Sequence, residues 1–435
     1  MLRLLSFLFL ACLTLRAEPA AAQETTRTFV EIISRARLPI SFEGGMLSGP
    51  GAARVIEAAD SAQFVILVES HNDHATPLIT GDLFRQLNEA YRFKYLAIEQ
   101  DPFGMEAAST NGRRGRLDQI AVHACKYPYS YTFATDEELR LLAMAGTISN
   151  ARIQPVWGID QVFGATAPLE ELFRISRGTR AGLLVQELLL DARASEEKRD
   201  EEGRRDQQNH HFLASGEFEL LQRFKQVRKE MKPEAGTRAE ALLDALETSA
   251  EIYSYFNRAR ELDETEAPIG LRNNWVREDW MKAQFMHHYR AAQAAGDPQP
   301  KVLVKAGYWH TVRGRGPGNV FTLGNFLHEF AIANGQKALS VQVVPLREWW
   351  PNHASVDPEY RVLLESKSMH EATLVDMRSL RAYLHAGQTF SLEPAELRRF
   401  HDLVFGVDLA LFIPSRAALH TLTSRRCSRM VVGGT

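Results

Sequence analysis

The sequence predicts an α/β fold: a mainly parallel sheet with helices on both faces and an all-helical insertion, or cap, between the two halves of the sheet. Three observations predict it. Up to about residue 167, short apolar runs rich in Val, Ile, Leu and Phe alternate with segments of helical periodicity. From Pro168 to Ala295 the chain is rich in Glu, Arg, Lys, Gln and Ala at helical spacing, with no strand signal. The alternation of strand and helix then resumes at Lys301.

In order along the chain, residues 1–22 read as a secretory leader. Arg3 precedes an apolar run from Leu4 to Leu15, and Ala20-Ala21-Ala22 is a small-residue cleavage site. The run is short for a membrane span, so the mature chain is expected from Gln23, periplasmic or secreted. A lipoprotein is the weaker reading, because Cys12 falls so early in the apolar run. Residues 23–167 form the first half of the α/β core, 168–296 the insertion, and 297–435 the second half with a C-terminal tail.

Within the first half, Phe64–Val68 is an apolar strand, Pro77–Tyr91 an amphipathic helix and Tyr95–Glu99 a second strand. Asp136–Ser149 is a helix with Thr135 as its N-cap, and Ile153–Ile159 a third strand. In the insertion, the charge run Glu196–Arg205 reads as a solvated helix face. Beyond it come a strand at Lys301–Lys305, a helix at Leu323–Asn334 and strands at Leu339–Val344 and Leu409–Ile413.

Composition narrows the function classes. The 435 residues are 45% hydrophobic and 24% charged, with a formal net charge of -3, as in an ordinary globular protein. That balance gives no footing for nucleic acid or an acidic membrane surface, and no later segment is long and apolar enough to span a bilayer. A small-molecule substrate is the expected partner. Without the leader, Cys125 and Cys427 remain; an oxidising compartment allows one bridge between them, but they build neither a disulfide framework nor a metal site.

The ionisable residues gather where open α/β sheets bind ligands, at the carboxyl ends of strands. The first strand runs straight into Glu69, Ser70 and His71, the second ends in Glu99 and the third in Gly158-Ile159-Asp160. The strand after the insertion leads through Ala306-Gly307-Tyr308-Trp309 to His310. Taken singly, each is the kind of residue that caps helices or lines loops. Four parallel strands ending alike converge on one edge, and that is a site. His74 is either a further ligand or a first-turn residue of the following helix. Arg277, on a helix with Trp275, Trp280 and Met281, is placed to pair with Glu69 or Glu99 or to stabilise an oxyanion. The glycine-rich stretch Gly314–Gly318 is expected to be a flexible loop closing over the site.

Other groups are weaker. His210-His211 and His287-His288 lie on helices, where adjacent residues do not share a face. No nucleophile elbow, H-E-x-x-H, Walker loop or dinucleotide fingerprint occurs.

Four blocks, Val68-Glu69-Ser70-His71, Leu96-Ala97-Ile98-Glu99, Gly158-Ile159-Asp160, and Arg277-Glu278-Asp279-Trp280-Met281 with His310, resemble a known superfamily. It joins erythromycin esterase-like proteins with the ChaN-like haem-binding and Tiki-type proteins. The resemblance covers about Phe64 to Phe326. Val68 stands where the superfamily usually has Gly, and the Glu69-to-His71 spacing is the ChaN-like one. Of the esterase branch's G-H-N-x-H turn, only His310 is kept.

The resemblance implies a hydrolase-type site. In chemical terms, a neutral imidazole suits proton abstraction from water near neutral pH. His71 is the expected general base, oriented by Glu69 or Glu99, with His310 and Arg277 polarising the carbonyl or protonating the leaving group. The bond cleaved would be an ester or amide-like one. No motif demands a cofactor. The alternative is that Glu69, His71, His74, Glu99, Asp160 and His310 supply donors to a divalent metal, or a surface for haem, in an envelope binding protein, catalytic or not.

Overall fold

The computed structural model describes residues 31–71, 73–201, 212–215, 218–261, 268–347, 355–364, 370–385, 392–415 and 427. The leader, the His210-His211 doublet and the end of the Glu196–Arg205 run lie outside the described residues. Among the described residues, ten strands are β1 (Arg37–Pro39), β2 (Ser41–Glu43), β3 (Met46–Ser48), β4 (Ala62–Glu69), β5 (Tyr95–Ile98), β6 (Val156–Gly158), β7 (Val302–Gly307), β8 (Lys337–Arg347), β9 (Thr373–Asp376) and β10 (Leu409–Ser415). Eight of them form one sheet in the order β1-β9-β10-β8-β4-β7-β5-β6. From β10 to β6 every neighbouring pair is parallel, and only the β9 and β1 edge runs antiparallel.

The sheet is parallel and central, so its strands are buried on both faces and are apolar throughout. Every residue of β4 is buried. Its alternation sorts the two faces: Val65 and Leu67 pack toward the helices α1 (Pro50–Ala58), α2 (Ala75–Tyr91), α3 (Pro102–Gly112), α4 (Leu117–Lys126) and α5 (Asp136–Ile148). Phe64 and Ile66 face the other way, against Phe285 and Tyr289. The α5 helix begins where the sequence places it, with Thr135 Oγ1 accepting from the Glu138 amide at 3.2 Å.

Between β6 and β7 the described chain is helical, from α6 (Thr166–Ser176) through α7 (Arg180–Glu201), α8 (Phe212–Ser215), α9 (Phe218–Met231) and α10 (Arg238–Glu261) to α11 (Pro268–Ala294). Helices α6 to α10 build a core of their own around Leu172, Leu188, Phe224 and Leu246. The long α11 belongs to both parts: Met281, Phe285 and Tyr289 pack under the sheet, while Trp280 leans on the insertion core. It thereby bridges cap and sheet.

Strand order departs from chain order at the centre of the sheet. After the insertion, β7 slots between β4 and β5 instead of adding at an edge. The short α12 (Tyr308–Thr311) therefore starts between the ends of β4 and β5, ahead of α13 (Leu323–Ala333). Sequence periodicity missed β1, β9 and the β2–β3 hairpin, which turns through Gly44 and Gly45 at φ 59° and 84°. Three- and four-residue strands carry too few alternations to register. The third predicted strand shortens to Val156–Gly158, because Pro155 interrupts it and Arg113 takes up the carbonyls of Ala151 and Ile153.

A candidate active site at the carboxyl ends of four strands

Four adjacent strands, β4, β7, β5 and β6, deliver Glu69, Gly307, Glu99 and Asp160 in turn. His71 follows β4 by two residues, and its ring stacks on Phe133 with centroids 4.6 Å apart and planes at 20°. Its Nδ1 faces Glu69 Oε1 at 3.4 Å, and its Nε2 lies 3.8 Å from Glu99 Oε1. Backbone packs close beneath it: a Cβ built on Gly307 would sit 2.8 Å from His71 Nε2 and 3.2 Å from Glu99 Oε2. Only glycine leaves room there.

His310 approaches the same Glu99 oxygen, Nε2 to Oε1 3.5 Å. Its Nδ1 meets Glu278 Oε1 at 2.5 Å, and Glu278 Oε2 accepts from the Leu323 amide at 2.7 Å. Each imidazole thus has a carboxylate at Nδ1 and turns Nε2 toward Glu99. Glu99 itself is pinned: Oε2 accepts from the Gly307 N–H at 2.6 Å, and Oε1 from Arg277 Nη2 at 2.9 Å. Arg277 also grips Asp160 with two bonds, Nε to Oδ1 at 2.9 Å and Nη2 to Oδ2 at 2.6 Å. Trp280, one turn on, donates Nε1–H to the Asp160 carbonyl at 2.9 Å.

Beneath this layer lies a buried ion triad. Lys305 Nζ sits 2.6 Å from Glu69 Oε2 and 2.5 Å from Glu138 Oε1. Carboxylates outnumber fixed cations, and this imbalance governs how the groups titrate. Burial pushes the Glu99 carboxyl up, but His310, His71, Arg277 and the Gly307 N–H together bring it down to about 2. Burial opposes the charge on Glu69 as well, and Lys305 with His71 outweighs it and lowers that pKa. Glu138 goes the other way, raised by burial and by Glu69 against the pull of Lys305. Burial alone would lower the His71 pKa; Glu99 and Glu69 overcome it and raise it above the ordinary 6.5.

The structure brings Glu69, His71, Glu99, Asp160, Arg277 and His310 together. It takes His74 elsewhere: Nδ1 faces Glu137 Oε1 at 3.2 Å, in the first turn of α5. His288 stacks on Trp157, centroids 5.4 Å apart. The Gly314–Gly318 loop is fastened, with Gly314 N–H on Asn325 Oδ1, Gly316 N–H on the Val320 carbonyl and Gly318 O near Asn274 Nδ2 at 3.4 Å. Three partners escaped sequence reasoning. Glu278 stood beside Arg277 in the same aromatic-rich stretch, and Glu138 stood in a capped first turn. Lys305 carried the plainest signal, a lone cation ending an apolar strand.

For a metal, Glu69, His71 and Glu99 offer donor atoms within 4.8 Å of one another. Both carboxylates already hold fixed cations, however, Lys305 on Glu69 and Arg277 on Glu99. A divalent ion would have to compete with each, so the donor set fits a metal poorly.

The fold defines a class, an erythromycin esterase-like α/β fold with a helical insertion. Among solved structures, a mutant of erythromycin esterase EreC in its open conformation is similar over 88% of this chain and 98% of that one, with a TM-score of 0.55 and 14% identity. A succinoglycan biosynthesis protein matches 92% of this chain and all of its own length, with a TM-score of 0.54 and 14% identity. A protein from Bacillus cereus matches 92% and 99%, with a TM-score of 0.50 and 12% identity. No family model matches the chain, and no curated protein matches it. At such identities the likeness is one of fold.

Proposed function

We propose that the protein is an exported hydrolase that cleaves an ester or amide-like bond in a small molecule, with His71 as general base. One observation carries the reading: two imidazoles, each backed by a carboxylate at Nδ1, turn their Nε2 atoms toward one pinned carboxylate, Glu99. A proton acceptor and a proton donor are thus available beside one carboxylate at the sheet edge.

The order of events is set by those atoms. His71 Nε2 takes a proton from water as the water oxygen attacks the carbonyl carbon. The resulting imidazolium is stabilised by Glu69 and Glu99. As the tetrahedral species collapses and the bond to the leaving group breaks, His310 Nε2–H gives that group its proton, while Glu278 holds the ring through Nδ1. Proton transfer from imidazolium to imidazole, directly or through water, resets the pair. Arg277 has Nε and Nη2 committed to Asp160 and Glu99, so we assign it to holding Glu99 and not to the carbonyl.

Export is supported by the leader-like N-terminus and by a Cys125–Cys427 disulfide with sulfurs 2.11 Å apart, a bond suited to an oxidising compartment. The test is a panel of small esters and amides assayed with the wild type and with His71→Ala. The variant is expected to fold normally and to lose on the order of 10²–10⁴ in rate. Unchanged turnover in it would remove His71 from the mechanism.

A further inference from the structure

We propose that Lys305 is a positioning residue of this site: its ammonium holds one oxygen of Glu69, with Glu138 as a second anchor, and so aims the other oxygen of Glu69 at His71 Nδ1. The catalytic consequence rests on the hydrolase reading; the positioning does not.

The placement comes from the strand. In β7, Val302 and Val304 face the α11 side, and Leu303 faces the side of α2 to α5. Alternation therefore turns Lys305 to that second face, and the register sets it opposite Leu67 on β4, two residues before Glu69. The side chain is 2% exposed. Replacing such a buried ion set by apolar residues is often neutral or stabilising, so stability alone gives no reason for a lysine here.

What Lys305 does locally is specific. With Glu69 Oε2 on Nζ at 2.6 Å, the carboxylate cannot turn. Its other oxygen, Oε1, is buried and has no hydrogen-bond partner among the described residues. It faces His71 Nδ1 at 3.4 Å. Phe133 completes the clamp, stacking on His71 while its ring centroid lies 5.8 Å from Nζ. A proton kept on Nδ1 leaves the Nε2 lone pair free beside Gly307 and Glu99, as a general base requires.

The experiment compares the wild type with Lys305→Met/Glu138→Leu, which removes the cation together with one of the acids it serves. The double variant is expected to fold and to lose kcat on the order of 10²-fold through misplacement of the base, with KM little changed. In ¹⁵N spectra, neutral His71 should move from the Nδ1–H tautomer of the wild type to a mixture. Glu138→Gln, which loosens the second anchor but keeps the Lys305–Glu69 pair, is expected to lose less kcat than the double variant and to keep the Nδ1–H form. Wild-type kcat and an unchanged tautomer in the double variant would overturn the proposal. So would an Nε2–H tautomer in the wild type, a result that needs no variant to fold. If the wild type turns over no ester, the hydrolase reading fails, and the tautomer comparison still decides the role of Lys305.

Discussion

At the scale of single residues, the site is a set of imidazoles held by acids, and this makes stability and activity run in opposite directions with pH. The folded-state pKa of His71 lies above the ordinary 6.5. Its contribution to stability is therefore complete below 6.5 and is lost as pH rises through the raised value. In the proposed mechanism the base must be the neutral ring, so the acid limb of kcat/KM is expected to centre above 6.5, with activity climbing over the window in which this stabilisation fades. Parallel rate and thermal-melt series in one buffer set check it; an acid limb below 6.5 would contradict it. Glu99 acts at the other end, its stabilisation present above 4.5 and lost as pH falls toward about 2. Of these residues, Glu69, His71, Glu99 and Asp160 were legible because each stands at the abrupt end of an apolar run. Lys305 offered the same signal, a lone cation ending an apolar strand, but its pairing with Glu138 joins residues 167 apart, and no local pattern encodes that.

At the scale of elements, α11 fastens the helical insertion to the sheet edge. Its middle turns present Arg277, Glu278 and Trp280 to the ends of β5 and β6 and to α12, and its later turns pack Phe285 and Tyr289 beneath the sheet. Arg277→Leu would leave Asp160 and Glu99, both almost fully buried, without their cation. A loss of about 3–5 kcal/mol is expected, as when one partner is taken from a buried pair. Denaturant unfolding reads it directly, and a loss below about 1 kcal/mol would mean that the pair acts as an exposed one. The composition of this region made it legible as helix, and the Arg277 stretch pointed to the site. Its division between two hydrophobic cores was not legible, because apolar residues are spread around much of the helix instead of forming one stripe.

At the scale of the molecule, the parallel centre of the sheet was readable because buried strands are continuous apolar runs, whereas the antiparallel edge was too short to read. The slotting of β7 between β4 and β5 is a topological fact that sequence order conceals, and it brings His310 to the same Glu99 oxygen as His71. The Cys125–Cys427 bridge ties α4 to a cysteine 302 residues further on. Cysteine count alone allowed the bridge without requiring it. Reducing it, or replacing both cysteines with alanine, is expected to cost about 2–4 kcal/mol. Melting with and without reductant measures this, and identical curves would show that the bridge adds nothing. The central claim, that proton transfer by His71 within a network of fixed ion pairs performs hydrolysis, meets its most direct test in the turnover of one responsive ester by protein dialysed against a strong chelator. The account predicts that wild-type turnover survives dialysis and is unaffected by added divalent ions. Activity that vanishes on chelation and returns with a stoichiometric metal would contradict it.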